Sequence, residues 1–239
     1  MNYRHSPRFG RTSLVAAAVL ASAATVTTLA ATATGAATTP KNLVGTFLIT
    51  KGTTVRRVPH GSYFRMVYPG GSVTKGKFFA NPDSRAINKT FTYISPGTVG
   101  GLETGKFQPA PNPAFDSKGD SRARSIIIPT SFTGINFGVV TASRDAQTGK
   151  KVPTPSIKVL GGKLSGDLRA FAANWNNTSF NQGSPKPNGT RPGLTEAVSG
   201  TYNAKTHAYV LTWTSAIIGG PFNGFTGVWH LTGTFRAAK

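Results

Sequence analysis

The sequence predicts an all-β fold: an antiparallel β-barrel or β-sandwich of about ten strands, with no substantial helix across residues 38–239. Three observations carry this expectation. Short apolar runs alternate with clusters of Gly, Pro, Thr, Asn and Ser. No stretch sustains the 3.6-residue apolar period of an amphipathic helix. Several runs instead alternate with period two, the pattern of a strand with one buried face.

Taken in chain order, strands are expected at 43–50, 63–68, 77–80, 90–95, 125–128, 137–143, 157–160, 164–175, 198–202, 209–216 and 227–235. In the last two, Tyr209, Leu211 and Trp213 share a face, as do Trp229, Leu231 and Phe235, while Val228, His230, Thr232 and Thr234 take the opposite one. Residues 218–225 carry three glycines and Pro221, so they read as the loop of a hairpin. Residues 203–206 read as a tight turn initiated by Asn203. Proline-rich 108–120 and 176–192 read as irregular loops. Gly-Thr-Phe occurs in both the first run, at Gly45 to Phe47, and the last, at Gly233 to Phe235, which would suit terminal strands that pair to close a barrel.

Ahead of these runs, Arg4, Arg8 and Arg11 precede the apolar residues 14–24, and Ala31-Thr32-Ala33 fits a cleavage site. Residues 1–37 therefore read as a signal peptide cut between 33 and 37, leaving one all-β domain over 38–239. The apolar segment is long enough for an anchor, but its Thr and Gly content and small-residue ending favour removal. The expected location is secreted or cell-envelope associated, with no transmembrane span after removal. The chain has no cysteine, which excludes disulfides, thiolate metal sites and a cysteine nucleophile, and is ordinary for exported bacterial proteins.

Without the three leader arginines, 24 basic residues face 7 acidic ones, a net charge of +17. Such a field attracts polyanions, whether a cell-wall polymer or nucleic acid, and equally keeps an exported protein soluble.

The inventory for catalysis is thin. Residues 38–239 offer three histidines: His60 in a loop context, His207 in a turn that tolerates positive φ, and His230 on the Thr-lined face of the last strand. His230 with Asp167 or Glu196 would be the acid–base set of a phosphodiesterase or glycan hydrolase. Asp167 and Arg169, two apart on one expected strand, could form an ion pair. The nucleophile elbow, the zincin motif and the phosphate-cradling glycine loop are all missing, and Asp116 to Asp120 lacks the ligand alternation of a calcium loop. No metal or cofactor is expected.

Rings interleaved with polar groups are the remaining candidates. Trp175, Phe180, Asn181 and Gln182, with Phe222, Asn223 and Phe225 in the last loop, could stack on and hydrogen-bond a ligand. Tyr63, Phe64, Arg65 and Tyr68, near Lys75, Lys77, Phe78 and Phe79, could form a second face, or simply alternate between core and solvent. The leading expectation is a non-enzymatic exported protein that binds an anionic envelope polymer or other polyanion. The alternatives are a barrel-type carrier of a small apolar ligand and the hydrolase just described.

Overall fold

A computed structural model describes residues 39–239; the leader segment expected at 1–37 lies outside the described residues. Among the described residues there is no helix. The chain runs through β1 (Lys41–Leu43), β2 (Gly45–Ile49), β3 (Thr53–Val55), β4 (Val58–His60), β5 (Tyr63–Ser72), β6 (Gly76–Phe78), β7 (Thr92–Tyr93), β8 (Gly101–Thr104), β9 (Thr130–Phe132) and β10 (Ile135–Thr141). It continues through β11 (Ser156–Leu160), β12 (Lys163–Asp167), β13 (Phe171–Trp175), β14 (Thr178–Asn181), β15 (Val198–Tyr202), β16 (Ala208–Ala216) and β17 (Thr226–Ala237).

The principal sheet is antiparallel and nearly closed into a barrel, in the order β1-β11-β12-β15-β16-β17-β2-β8. Residues 41–49 close it. Their first half, β1, pairs with β11 (Leu43 opposite Ile157), and their second half, β2, pairs with β17. There the two Gly-Thr-Phe segments meet, with Phe47 directly opposite Phe235. The switch of neighbours at Val44 is held by Thr104, whose hydroxyl donates to Leu43 O at 2.6 Å and accepts from Gly45 N at 3.0 Å.

β17 is the spine. One edge pairs with β16 along nine residues, and the other is shared between β5, opposite 226–230, and β2, opposite 233–237. At the handover the Thr232 N–H would lose its ladder partner. The fully buried Ser62 supplies one, its Oγ accepting from Thr232 N at 2.9 Å.

The barrel's alternating inward residues form one end of the core: Phe47 packs edge-on to Tyr209 and against Phe235, with Leu211 and Leu231 beneath. Further along, Trp213 and Trp229 stack with centroids 5.8 Å apart. A second sheet, β14-β13-β10-β9, packs on this end through Phe171, whose ring meets both indoles edge-on at 5.1 and 5.0 Å. The indole N–H groups are satisfied by one residue: Trp213 donates to Gln182 O at 2.8 Å and Trp229 to Gln182 Oε1 at 3.2 Å. Gly227 has to be glycine for this, because a Cβ there would collide with Gln182 Oε1.

The expected run 164–175 is two strands. The chain turns at Leu168 to Ala170, with Phe171 N donating to Leu168 O, and passes from the barrel sheet into the second sheet. Residues 125–128 are not a strand: their backbone bonds to the segment 95–99 with only an isolated bridge between Ile127 and Pro96, not a ladder.

Replacing Gln182 by Ala should destabilise the fold by about 3 kcal/mol, because it opens a core void and leaves the Trp229 N–H without an acceptor. Urea unfolding followed by tryptophan fluorescence measures it; a loss below about 0.5 kcal/mol would show that the two indoles do not depend on this side chain.

Candidate functional site

The ligand residues expected from sequence divide between two places. Trp175, Phe180, Gln182 and Phe222, with Phe64 and Trp229, line a small apolar cavity of about 40 Å³. Phe222 closes it from above, its ring 5.2 Å from Trp175 and 5.7 Å from Phe132. Phe225 packs against Tyr68 at 4.9 Å, and Asn223 Oδ1 accepts from Gly219 N at 2.8 Å to shape the turn 218–224. These rings hold one another.

The segment 176–192 is not wholly a loop, since its first residues form β14 and are drawn into the structure. Alternation along β14 sets two environments: Phe180 and Gln182 face the apolar cavity, while Asn181 faces a separate polar pocket of about 310 Å³. Asn181 is 4% exposed and its groups are engaged internally. Its Nδ2 donates to Asp145 Oδ1 at 2.9 Å and Arg169 O at 2.8 Å, and its Oδ1 accepts from Gly183 N at 3.1 Å. Gln182 is 2% exposed and likewise committed, so neither amide is offered to a ligand's hydroxyls.

That polar pocket holds a residue the sequence reading passed over. Lys186 is 4% exposed, and its Nζ donates to Asn181 O at 2.9 Å and Ser215 Oγ at 2.7 Å. Burial lowers its pKa to about 8, against a smaller opposing pull from Asp145. The turn 186–190 fixes its backbone, Lys186 N donating to Thr190 O and its carbonyl accepting from Gly189 N.

His230 lies on the outer face of β17, in a cross-strand row with Thr212 and Tyr63. Its ring stacks on Tyr63 at 4.6 Å, and burial lowers its pKa. Glu196 precedes β15, its N–H bonded to Thr214 of β16, and Asp167 ends β12, three strands from β17 in the sheet. The three are not brought together. Asp167 is engaged by Arg169, whose Nε donates to it at 2.9 Å and Nη2 at 2.5 Å; the pairing is made across the turn after β12, not along one strand. His207 occupies its turn at φ 58°, and His60 ends β4, exposed. Arg65 is clasped between Phe78 and Phe91, 3.2 and 4.1 Å from the ring centroids, with its pKa lowered to about 10 by burial.

The remaining cations are largely uncompensated. Among the described residues there are two ion pairs, Glu103–Lys106 and Asp167–Arg169. Four other carboxylates serve the fold: Asp83 accepts from Gly134 N and Ser131, which holds its pKa below the ordinary value. Asp116 caps its own loop, Asp120 binds Asn136 twice, and Asp145 accepts from Thr148 and Asn181.

One cationic element stands out. The β3–β4 hairpin turns through Arg56 and Arg57, at φ 47° and 67°, between exposed Val55 and Val58. Two-residue hairpin turns with positive φ at both positions favour Asn-Gly, and each arginine there costs about 1 kcal/mol. The hairpin walls a polar cleft of about 620 Å³, lined by hydroxyls such as Thr54, Tyr93 and Thr130, by Lys51 and Arg85, and by the carboxylate of Asp83. The Thr54 and Tyr93 hydroxyls share a hydrogen bond that ties β3 to β7. No family model, curated protein or solved structure matches this chain.

Because the folded-state pKa of Lys186 lies near 8 and its ordinary value is 10.5, the unfolded chain binds more protons between these pH values. Stability should therefore rise from pH 8 to 10. Urea midpoints at pH 7.5, 8.5 and 9.5 should show this slope in the native chain and a flattened one in Lys186→Met; identical slopes would mean Lys186 does not release its proton in this window.

Proposed function

We propose that this chain is a non-enzymatic, exported binding protein for an anionic cell-envelope polymer, gripped by the Arg56–Arg57 hairpin and the cleft at its foot. The observation that supports this most is the uncompensated charge. Only two of 24 cations are in ion pairs, because the carboxylates that would neutralise others are bound to backbone N–H groups and hydroxyls. A positive field of this size raises the local concentration of any polyanion.

Backbone strain favours the hairpin as the point of contact. Arginines held at positive φ on a tip that glycine would suit better are a cost that the fold alone does not require. Hydroxyls, a phenol and two cations in the adjoining cleft suit a saccharide carrying phosphate or carboxylate groups, while its one carboxylate, Asp83, is occupied by Ser131 and Gly134 N.

The carrier alternative has less to rest on, since the apolar cavity of about 40 Å³ is far below the roughly 300 Å³ at which small-molecule sites begin. The hydrolase alternative lacks a convergent set, as His230, Asp167 and Glu196 lie on different strands or segments of the sheet.

Binding of residues 38–239 to teichoic-type polymer, DNA, RNA and a neutral glycan across a salt series tests the proposal. Retention of the envelope polymer should weaken steeply with salt, and the neutral glycan should not bind. The double variant Arg56→Asn/Arg57→Gly should be about 1 kcal/mol more stable yet bind the polymer roughly tenfold more weakly, as expected from removing two cations at about 1 kcal/mol or less each. Indifference to every anion at low salt would overturn the polyanion reading; unchanged affinity in the double variant would remove the hairpin from it.

A further inference from the structure

We propose that Lys186 is a reactive amine on the wall of the polar pocket that captures small carbonyl compounds as imines. This is independent of the polyanion reading, since it concerns a buried lysine well separated in sequence from the hairpin.

The stereochemistry carries it. Lys186 Nζ is hydrogen-bonded to two acceptors, both uncharged, and is paired with no carboxylate among the described residues. One is Asn181 O, at 2.9 Å, and the other is Ser215 Oγ, at 2.7 Å, whose own hydrogen is committed to Gly183 O at 2.8 Å, so that the oxygen is left to accept from Lys186. Among the described residues no third acceptor lies within hydrogen-bond distance of Nζ. Asp145, the carboxylate lining the same pocket, makes no ion pair with Lys186 and accepts instead from Thr148 N, Thr148 Oγ1 and Asn181 Nδ2. With no carboxylate paired to it, the ammonium is held less firmly than in water, and burial lowers its pKa to about 8, so the neutral amine is reached just above neutral pH. Both acceptors are fixed: Ser215 is fully buried on β16, and Asn181 ends β14.

Lys186 lines a pocket of about 310 Å³, at the small end of the range for ligand sites. Thr148, Asn188 and Ile218 share its wall, and the exposed Lys150 adds a cation. The ligand class this suits is a small aldehyde or ketone carrying a carboxylate, the carbonyl at Lys186 and the carboxylate toward Lys150. In the reaction the Nζ lone pair forms a bond to the carbonyl carbon as the C=O π pair moves to oxygen. Loss of both amine hydrogens with that oxygen as water leaves the C=N bond.

The test uses glyoxylate with cyanoborohydride on the native chain at pH 8.5, which reduces any imine to a stable secondary amine, followed by peptide mass spectrometry. The same treatment of the urea-unfolded chain sets the baseline for each lysine. The expected result is that folding raises labelling at Lys186 at least tenfold relative to its unfolded baseline while the exposed lysines change little. Labelling at Lys186 that is unchanged or suppressed by folding would show a lysine merely protected by burial and overturn the proposal.

Discussion

Two indole N–H groups are buried where the barrel meets the second sheet, and one residue answers both. Gln182 accepts from Trp213 with its backbone carbonyl and from Trp229 with its side chain. An unpaired N–H in that setting costs about 1–3 kcal/mol, so the position of Gln182 is tightly constrained. Much else follows by chain geometry. With Gln182 fixed inward, alternation turns Asn181 to the other side, and Asn181 O becomes one of the two acceptors of Lys186. The same contact excludes a side chain at Gly227 and sets how closely β14 approaches β17.

Parts of this were legible in the sequence. The period-two patterns of 209–216 and 227–235 assign the buried and outer faces as the structure has them, and the shared Gly-Thr-Phe foretells the pairing of Phe47 with Phe235. The β3–β4 hairpin was hidden because its turn carries Arg-Arg where Asn-Gly is the usual signal, and Pro59 sits inside β4. β14 was hidden for a different reason. Thr-Ser-Phe-Asn looks like solvent-facing loop, and its burial depends on partners such as Asp145 and Gln147, 36 and 34 residues earlier. Lys186 was invisible on the same ground: a lysine in a polar, proline-rich segment reads as exposed, and only the fold brings Ser215 to it.

The two cationic features differ in kind. Arg56 and Arg57 are exposed side chains on a strained backbone, so their contribution is long-ranged and falls with salt. Lys186 has been taken out of water on an ordinary backbone, where burial beside uncharged acceptors lowers its pKa. A single tally of net charge counts these alike, although one supports attraction at a distance and the other bond formation at contact.

The closure of the barrel by residues 45–49 against 233–237 also bears on how the molecule comes into being. The seam joins segments almost two hundred residues apart, so the ring of strands cannot be sealed by any local event. Folding of this topology is dominated by distant pairings and is correspondingly slow. Until the final strand is present, the first lacks one of its ladder partners, and β5 and β16 lack the spine they share. A partly synthesised or partly threaded chain therefore has no stable closed intermediate to settle into, and it stays pliable until its last residues arrive.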